Sequence, residues 1–367
     1  MYSGQIFKTT QASYRLKAKI AEGGYSEVWL ATTRNWSKVI IKMPSLKALQ
    51  RVARSEWHYY REHLWTEIEF LQRAQHDARE SIIELLDVGS YDLEGEAFPF
   101  LVLESMETNL CHCSPPDNLA TILSWFQQIT QALGTVHRLG YQYRDLKRSN
   151  ILLDANGEIL KLIDFGALQP DDPNRLYAMA GTSAYMAPEQ FTPASSAVSQ
   201  TNSQYRYATD RRTDWYSLGL ILFWLVTGED YHPESPQQDR QRFMDRLVHL
   251  QNSDNTRPLV NSDQTWFAGP MLNPLSTHLT ALLEQLLAKD RETRPESAED
   301  ILKQIQPWIT PTLPKPTKPS IVRPWHIGLA MLFLLTLLIN QVWSTTPEHN
   351  AIELPLDASL LAQPIPD

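Results

Sequence analysis

Two short stretches constrain this chain more than anything else in it: Tyr143-Arg144-Asp145-Leu146-Lys147-Arg148-Ser149-Asn150, and Asp164-Phe165-Gly166, which begins 14 residues after Asn150. Between them, Ile151-Leu152-Leu153 and Ile159-Leu160-Lys161-Leu162-Ile163 read as two short strands joined by a turn at Asn156-Gly157. A hairpin of that size brings Asp145, Asn150 and Asp164 to one place. Three oxygen-bearing side chains there suit a hard divalent cation and a hydroxyl that must lose a proton. Asp and Asn are common in loops, so no single one of them means much. The spacing of all three carries the argument.

These residues resemble the catalytic loop and metal motif of the protein kinases, H-R-D-x-K-x-x-N and D-F-G. The second motif is intact, and the first departs only at Tyr143, where the family usually has a structural His. The resemblance implies a two-lobed α+β fold, with a small β-rich lobe over a larger helical one. Phosphoryl transfer from ATP with Mg2+ (or Mn2+) to a Ser or Thr hydroxyl of a protein follows from it. Asp145 and Lys147 take the catalytic roles, and Asn150 and Asp164 the metal. Lys147 within D-x-K-x-x-N points to serine/threonine substrates.

The rest of the chain supplies the other parts in order. Residues 14–42 read as the first three strands of the small lobe. Their hairpin carries Ile20, Ala21, Gly23, Gly24, Ser26 and Val28, where the family's G-x-G-x-x-G-x-V closes over phosphates. Here Ala21, Gly23 and Ser26 occupy the three glycine positions, a weak signal alone, since a plain glycine turn reads the same way. Val39-Ile40-Ile41-Lys42 strengthens it by matching V-A-I-K, whose lysine holds the α- and β-phosphates. A lysine closing an apolar strand needs a counter-charge, because burying a lone ammonium is costly. Glu67 in Thr66–Leu71 is the expected one. Glu69 lies roughly 200° round the same helix and faces away. The stretch Arg51–His63 reads as a solvated helical extension. Phe98–Met106 reads as a strand entering the lobe connection, and by analogy the backbone at Glu104 and Met106 meets adenine. Leu119, Ile122, Leu123, Phe126, Ile129, Leu133 and Val136 have helical spacing.

Beyond the metal motif, Gly181–Glu189 resembles the docking end of an activation segment, with Thr182 directed to the catalytic loop. Asp214-Trp215-Tyr216-Ser217-Leu218-Gly219 resembles the helix whose Asp anchors that loop, and Arg294 is the expected counter-ion of Glu189. Ser297-Ala298-Glu299-Asp300 resembles a capping box. Residues 191–209 read as a mobile Ser/Thr/Gln-rich insertion. From Ala167 to Gly181 the only hydroxyl is Tyr177, so either Asp171 or Asp172 takes the place of a phosphate at Arg144, or the pair is only a solvated turn before Pro173.

The resemblance covers residues 14–306, with the small lobe to about 104 and the large lobe from about 105. Residues 311–324 are rich in Pro and Lys, a semi-rigid spacer. Trp325–Trp343 is 19 residues without a charged side chain, about 28 Å as a helix and flanked by tryptophans, hence a transmembrane segment. Lys and Arg lie before it and none follows through 344–367, which puts the domain in the cytoplasm and a short acidic tail outside. This C-terminal arrangement resembles the bacterial serine/threonine kinases. Met1–Thr10 shows no basic start with an apolar core, so no cleaved signal is expected. The net charge of −9 argues against nucleic acid, and Cys111 and Cys113 read as ordinary reduced thiols. The sequence leaves dimerisation open.

Two other readings fit the same residues. A silent scaffold of the same fold would lack some acting residue, yet Lys42, Glu67, Asp145, Lys147, Asn150 and Asp164 are all present. A small-molecule kinase would not need the peptide-docking Gly181-Thr182 and Ala187-Pro188-Glu189.

Overall fold

The computed structural model describes residues 3–75, 80–172, 174–178, 180–192, 207–253 and 274–309. The chain divides into two units, 1–310 and 311–367, and the described residues all belong to the first. The spacer 311–324, the apolar Trp325–Trp343 and the tail therefore lie outside them, as do residues 193–206 of the 191–209 insertion. Among the described residues no helix is long and apolar enough to cross a membrane.

The small lobe is a six-stranded antiparallel sheet. Its strands are β1 (Ile6–Lys8), β2 (Ser13–Glu22), β3 (Ser26–Thr32), β4 (Lys38–Pro44), β5 (Leu85–Leu93) and β6 (Glu96–Glu104), in the order β1-β2-β3-β4-β6-β5. Alternation sets its two faces. On β4, Val39, Ile41 and Met43 join Leu16, Trp29, Ala31, Phe100 and Val102 in one apolar cluster. Ile40 and Lys42 are thereby turned the other way. Strand β1 lies before residue 14 and has no counterpart in the sequence reading. It pairs with β2, yet Phe7 also meets Tyr91 and Phe100 edge-on at 5.6 and 5.2 Å. Asp87 on β5 accepts from Thr9 Oγ1 (2.6 Å) and Tyr14 Oη (2.8 Å). Burial first and Asp87 second push the Tyr14 phenol up. The sheet thus curls until its two edges meet.

After β4 come a single turn, α1 (Leu46–Leu49), and then α2 (Trp57–Ala74). The stretch Arg51–His63 is a solvated helical extension only in part: most of it is exposed, and residues 57–63 do lengthen α2. Its helix begins only at Trp57, and Trp57 and Tyr60 are buried against Leu49 and Phe98. The cause is spacing: Trp57, Tyr60 and Leu64 recur at three and four residues, which makes an apolar stripe. Glu69 is exposed, as expected.

The large lobe follows β7 (Thr108–Asn109) with α3 (Leu119–Arg138), β8 (Tyr141–Gln142), β9 (Ile151–Leu153), β10 (Leu160–Leu162), β11 (Gln169–Pro170), α4 (Arg212–Thr227), α5 (Pro236–Ser253), α6 (Pro274–Leu286) and α7 (Ala298–Ile305). Asn118 caps α3 by accepting from Thr121 N, and Ser297 caps α7 by accepting from Asp300 N. Every residue of α4 from Thr213 to Val226 is buried, so its apolar run serves as the core helix of this lobe. The hairpin joining β9 to β10 forms, but its loop runs over 154–159. Asp154 holds that loop by accepting from Glu158 N (2.8 Å) and Ile159 N (2.9 Å), and Gly157 alone turns left-handed (φ 74°).

Candidate active site

Lys42 leaves the cleft-facing side of β4 and meets two acids. Its Nζ lies 2.6 Å from Glu67 Oε2 and 2.7 Å from Asp164 Oδ1. One ammonium serves two carboxylates, and their surroundings differ. The Glu67 side chain is 0% exposed and that of Asp164 is 42% exposed. Burial raises the Glu67 carboxyl above its usual range, while the Lys42 charge holds Asp164 below its own. Burial alone would lower the Lys42 ammonium, but the two acids overcome this and raise it. Glu67 also accepts from Phe165 N (3.3 Å), which ties α2 to the metal motif.

The catalytic loop hangs from α4. Asp214 accepts from Tyr143 N (2.8 Å) and Arg144 N (2.6 Å), and its Oδ2 lies 2.8 Å from His137 Nε2. Tyr143, in place of the usual His, is fully buried and donates to the Ile163 carbonyl. Its ring meets Phe165 edge-on at 5.6 Å, and Phe165 stacks on Phe70 of α2 at 4.5 Å. Tyr143 therefore spans from the catalytic loop to the residue before Asp164.

Three donors converge on the Asp145 carboxylate. They are Lys147 Nζ (2.7 Å), Thr182 Oγ1 (2.9 Å) and Asn150 Nδ2 (3.1 Å). Lys147 also donates to Thr182 Oγ1 (2.9 Å), which locks the docking end of the activation segment to the catalytic loop. Gly181 permits this approach. Its φ is +112°, and a Cβ there would sit 2.6 Å from the Arg144 carbonyl oxygen. Ile163 N donates to Asn150 O (3.0 Å), so Asn150 lies beside the strand that delivers Asp164. The carboxylate of Asp164 and the amide oxygen of Asn150 are hard donors of the kind Mg2+ takes, with the remaining positions left to phosphates and water. Among the described residues no group of three or more His, Cys, Asp or Glu forms a metal cluster, and Cys111 and Cys113 are free thiols.

Glu189 and Arg294 form a bidentate pair at 2.7 and 2.9 Å. Arg144 departs from expectation. It is buried and left-handed (φ 69°), donates to the Ala178 carbonyl (2.6 Å), and lies over the Tyr177 ring at 5.4 Å. Burial lowers its guanidinium. Asp171 instead pairs with Arg211 at 2.7 Å and accepts its N–H, and Asp172 accepts from Asn174 N. The start of α4 supplies a nearer cation than the catalytic loop does.

A cleft of about 630 Å³ joins these parts. Gly23, Gly24 and Ser26 line it from above, Asp145, Lys147, Asp164 and Arg144 from below, and Thr182 from the side. Ile20, Ala21 and Val28 lie further along β2 and β3, and Glu104 and Met106 at the lobe connection; none of these five lines it, and Lys42, Glu67 and Asn150 reach it only through Asp164 and Asp145. Glu104 N donates to Glu84 O (3.0 Å), and its side chain pairs with Lys161. His63 also lines the cleft and was not read from the sequence. Burial first, then the Lys42 charge, lowers its imidazole to about 4. The available signal was its position, four residues before Glu67 and so on the same helix face.

A curled sheet over a helical lobe, a strand lysine paired with a helix glutamate, and an Asp–Lys–Asn loop beside D-F-G together define a protein kinase domain. The chain belongs to that family: the family model described as the protein kinase domain matches residues 14–309. It is 29% identical over 236 residues to a probable serine/threonine-protein kinase of Corynebacterium glutamicum, covering 61% of this chain and 33% of that one. It is 26% identical over 348 residues to the human ribosomal protein S6 kinase alpha-4, covering 89% of this chain and 40% of that one. A serine/threonine-protein kinase of Arabidopsis thaliana is 30% identical over 181 residues, covering 48% and 31%. The chain thus spans well under half the length of the curated relatives it matches.

Proposed function

We propose that this chain is an active serine/threonine protein kinase, anchored to the membrane by Trp325–Trp343 with its catalytic domain in the cytoplasm. The observation that carries the enzymatic part is the assembled set Lys42–Glu67–Asp164 beside Asp145–Thr182–Lys147. Bound Mg-ATP would supply the γ-phosphoryl group, the bond to the β-phosphate oxygen breaking so that ADP leaves, and the metal would spread the charge on those oxygens. Lys42, set by Glu67, positions the other phosphates. Asn150 and Asp164 offer oxygens to the ion. Asp145 orients the acceptor hydroxyl and takes its proton at a carboxylate oxygen, and Lys147 lies beside it to stabilise charge on the transferred group. Backbone groups of Glu104 and Met106 would hold the adenine, with Ile20, Ala21 and Val28 covering it.

The family membership and the serine/threonine kinases among the relatives support the choice of acceptor. A scaffold without turnover is disfavoured by the complete set of acting residues. The test is phosphorylation of a generic acceptor protein with labelled ATP, followed by phosphoamino-acid analysis. Phosphoserine or phosphothreonine in the wild type and none in a folded Asp145→Asn protein is the expected result. Turnover by that variant would sink the mechanism. The anchor rests on the apolar length and charge asymmetry of the sequence. The domain boundaries proposed with it are 14–306, 311–324, 325–343 and 344–367.

A further inference from the structure

Gly23 and Gly24 make the tip of the β2–β3 loop cheap to bend, and a Cβ at Gly24 would meet nothing within 4 Å. The next residue, Tyr25, is anchored all the same. Its residue is 50% exposed, yet its ring stacks on His63 at 4.6 Å and 28°, and lies 5.3 Å from Tyr60. Both of those residues are on α2. From behind, Ser45 N donates to the Tyr25 carbonyl (3.0 Å), and Ser45 Oγ donates to Glu22 Oε1 (3.2 Å). Gly23 N closes the turn on Ser26 O at 2.8 Å.

His63 is held just as closely on its far side. A Cβ added at Gly166 would lie 2.1 Å from His63 Nε2, so the imidazole occupies the space that any other residue of the metal motif would fill. One turn along the same helix face is Glu67, which carries Lys42 and Phe165 N. Loop tip, helix and metal motif therefore meet in one line, Tyr25 to His63 to Gly166. The cleft lined by these residues is the one that holds Asp145, Lys147 and Asp164.

We propose that Tyr25 is a positioning residue, which holds the glycine loop over the phosphate end of the cleft by stacking on His63 while α2 keeps Glu67 on Lys42. Its consequence for ATP rests on the kinase reading above. Its structural part does not, since the stack either restrains the loop or does not in the protein without nucleotide.

The test uses the full chain and the variants Tyr25→Ala, Tyr25→Phe and His63→Ala. Amide exchange is followed at residues 23–27 and in α3, and KM for Mg-ATP is followed separately from kcat. Tyr25→Ala should speed exchange at the loop about tenfold and leave α3 unchanged. Its KM for ATP should rise roughly three- to tenfold, the size of one aromatic contact, with kcat within about twofold. Tyr25→Phe should restore both, because it keeps the ring. Adding Tyr25→Ala to His63→Ala should bring clearly less than the additive rise, because the stack cannot be lost twice and only the looser Tyr60 contact remains to be removed. Unchanged loop exchange in Tyr25→Ala, or effects that simply add, would overturn the proposal. If His63→Ala does not fold, the Ala and Phe variants at Tyr25 decide alone. A wild type that transfers no phosphate counts against the kinase reading, and loop exchange still decides the latch.

Discussion

Lys42→Met separates the stabilising role of the buried lysine from its chemical role. The ammonium sits within 2.7 Å of two acids, but only Glu67 is fully enclosed. Once Lys42 is gone, Glu67 keeps a single long bond from Phe165 N (3.3 Å). Leaving one partner of a buried pair uncompensated costs about 3–5 kcal/mol. Glu67 can escape part of that by taking up a proton, at about 1.4 kcal/mol for each unit by which the pH exceeds its unfolded pKa. Its carboxyl is already raised by burial with Lys42 in place, so the lower end, about 3 kcal/mol, is the better figure. Asp164, half-exposed, can be reached by water and adds less. For a domain of this size that is roughly 6 °C in Tm. The sign of the pH dependence follows. A carboxyl whose folded pKa lies above its unfolded one stabilises at low pH, and that contribution is lost as pH rises through the folded value. Lys42→Met should therefore regain stability towards about pH 5. The double variant Lys42→Met with Glu67→Gln removes the stranded charge and should recover about 2 kcal/mol or more near neutral pH, without recovering activity. Urea unfolding of the wild type, the single variants Lys42→Met and Glu67→Gln, and the double variant, all without metal or nucleotide, measures all of this. A Lys42→Met midpoint equal to wild type, or a double variant no more stable than the single, would refute the reasoning.

Arg294→Met should destabilise by about 2–3 kcal/mol, since Glu189 is left with only the Thr213 hydroxyl, read as a lower urea midpoint, whereas Arg212→Ala, at an exposed ion pair, should cost under about 1 kcal/mol. His63, lowered to about 4 by burial, binds fewer protons folded than unfolded between there and its usual value. Stability should therefore fall as pH drops through that window, and His63→Gln should flatten the acid limb of the urea midpoint against pH. Phosphatase treatment should leave the initial rate unchanged, because Tyr177, the only hydroxyl from 167 to 181, is buried and donates to Pro170 O at 2.5 Å. Mass spectrometry tracing a silenced enzyme to Tyr177 would contradict this. Truncation after Pro319 should release an active domain that needs no detergent, checked by fractionation and a kinase assay.

What the sequence disclosed was the chemistry and its order along the chain. Asp145, Asn150 and Asp164 are joined by one hairpin, so local spacing alone brings them together. Lys42 announced a buried counter-charge because an ammonium on an apolar strand must have one, and helix periodicity separated Glu67 from Glu69. The failures were choices among competitors distant in sequence. Asp171 had two cations within reach, and nothing local says that Arg211 lies nearer than Arg144. Residues 51–63 looked solvated because their charges outnumber their aromatics, yet Trp57 and Tyr60 find Phe98 on a strand about 40 residues away. The Tyr25–His63 stack is of the same kind. A three-residue strand such as β1 carries too few residues for a period to show.

The curl of the small-lobe sheet has a bearing on where this domain ends in practice. Sheet margins offer unpaired backbone groups to any strand that drifts by, and β1 covers one such margin while Phe7 bolts it to the other. The family match starts at residue 14, inside β2. A protein cut to that boundary would keep every acting residue and yet bare the flank of β2, leave Phe100 without its edge-on ring, and strip Asp87 of Thr9. It should bind the same ligands and clump on standing. The six residues from Ile6 to Gln11 act as a hem, and their worth would show in shelf life before it showed in any rate.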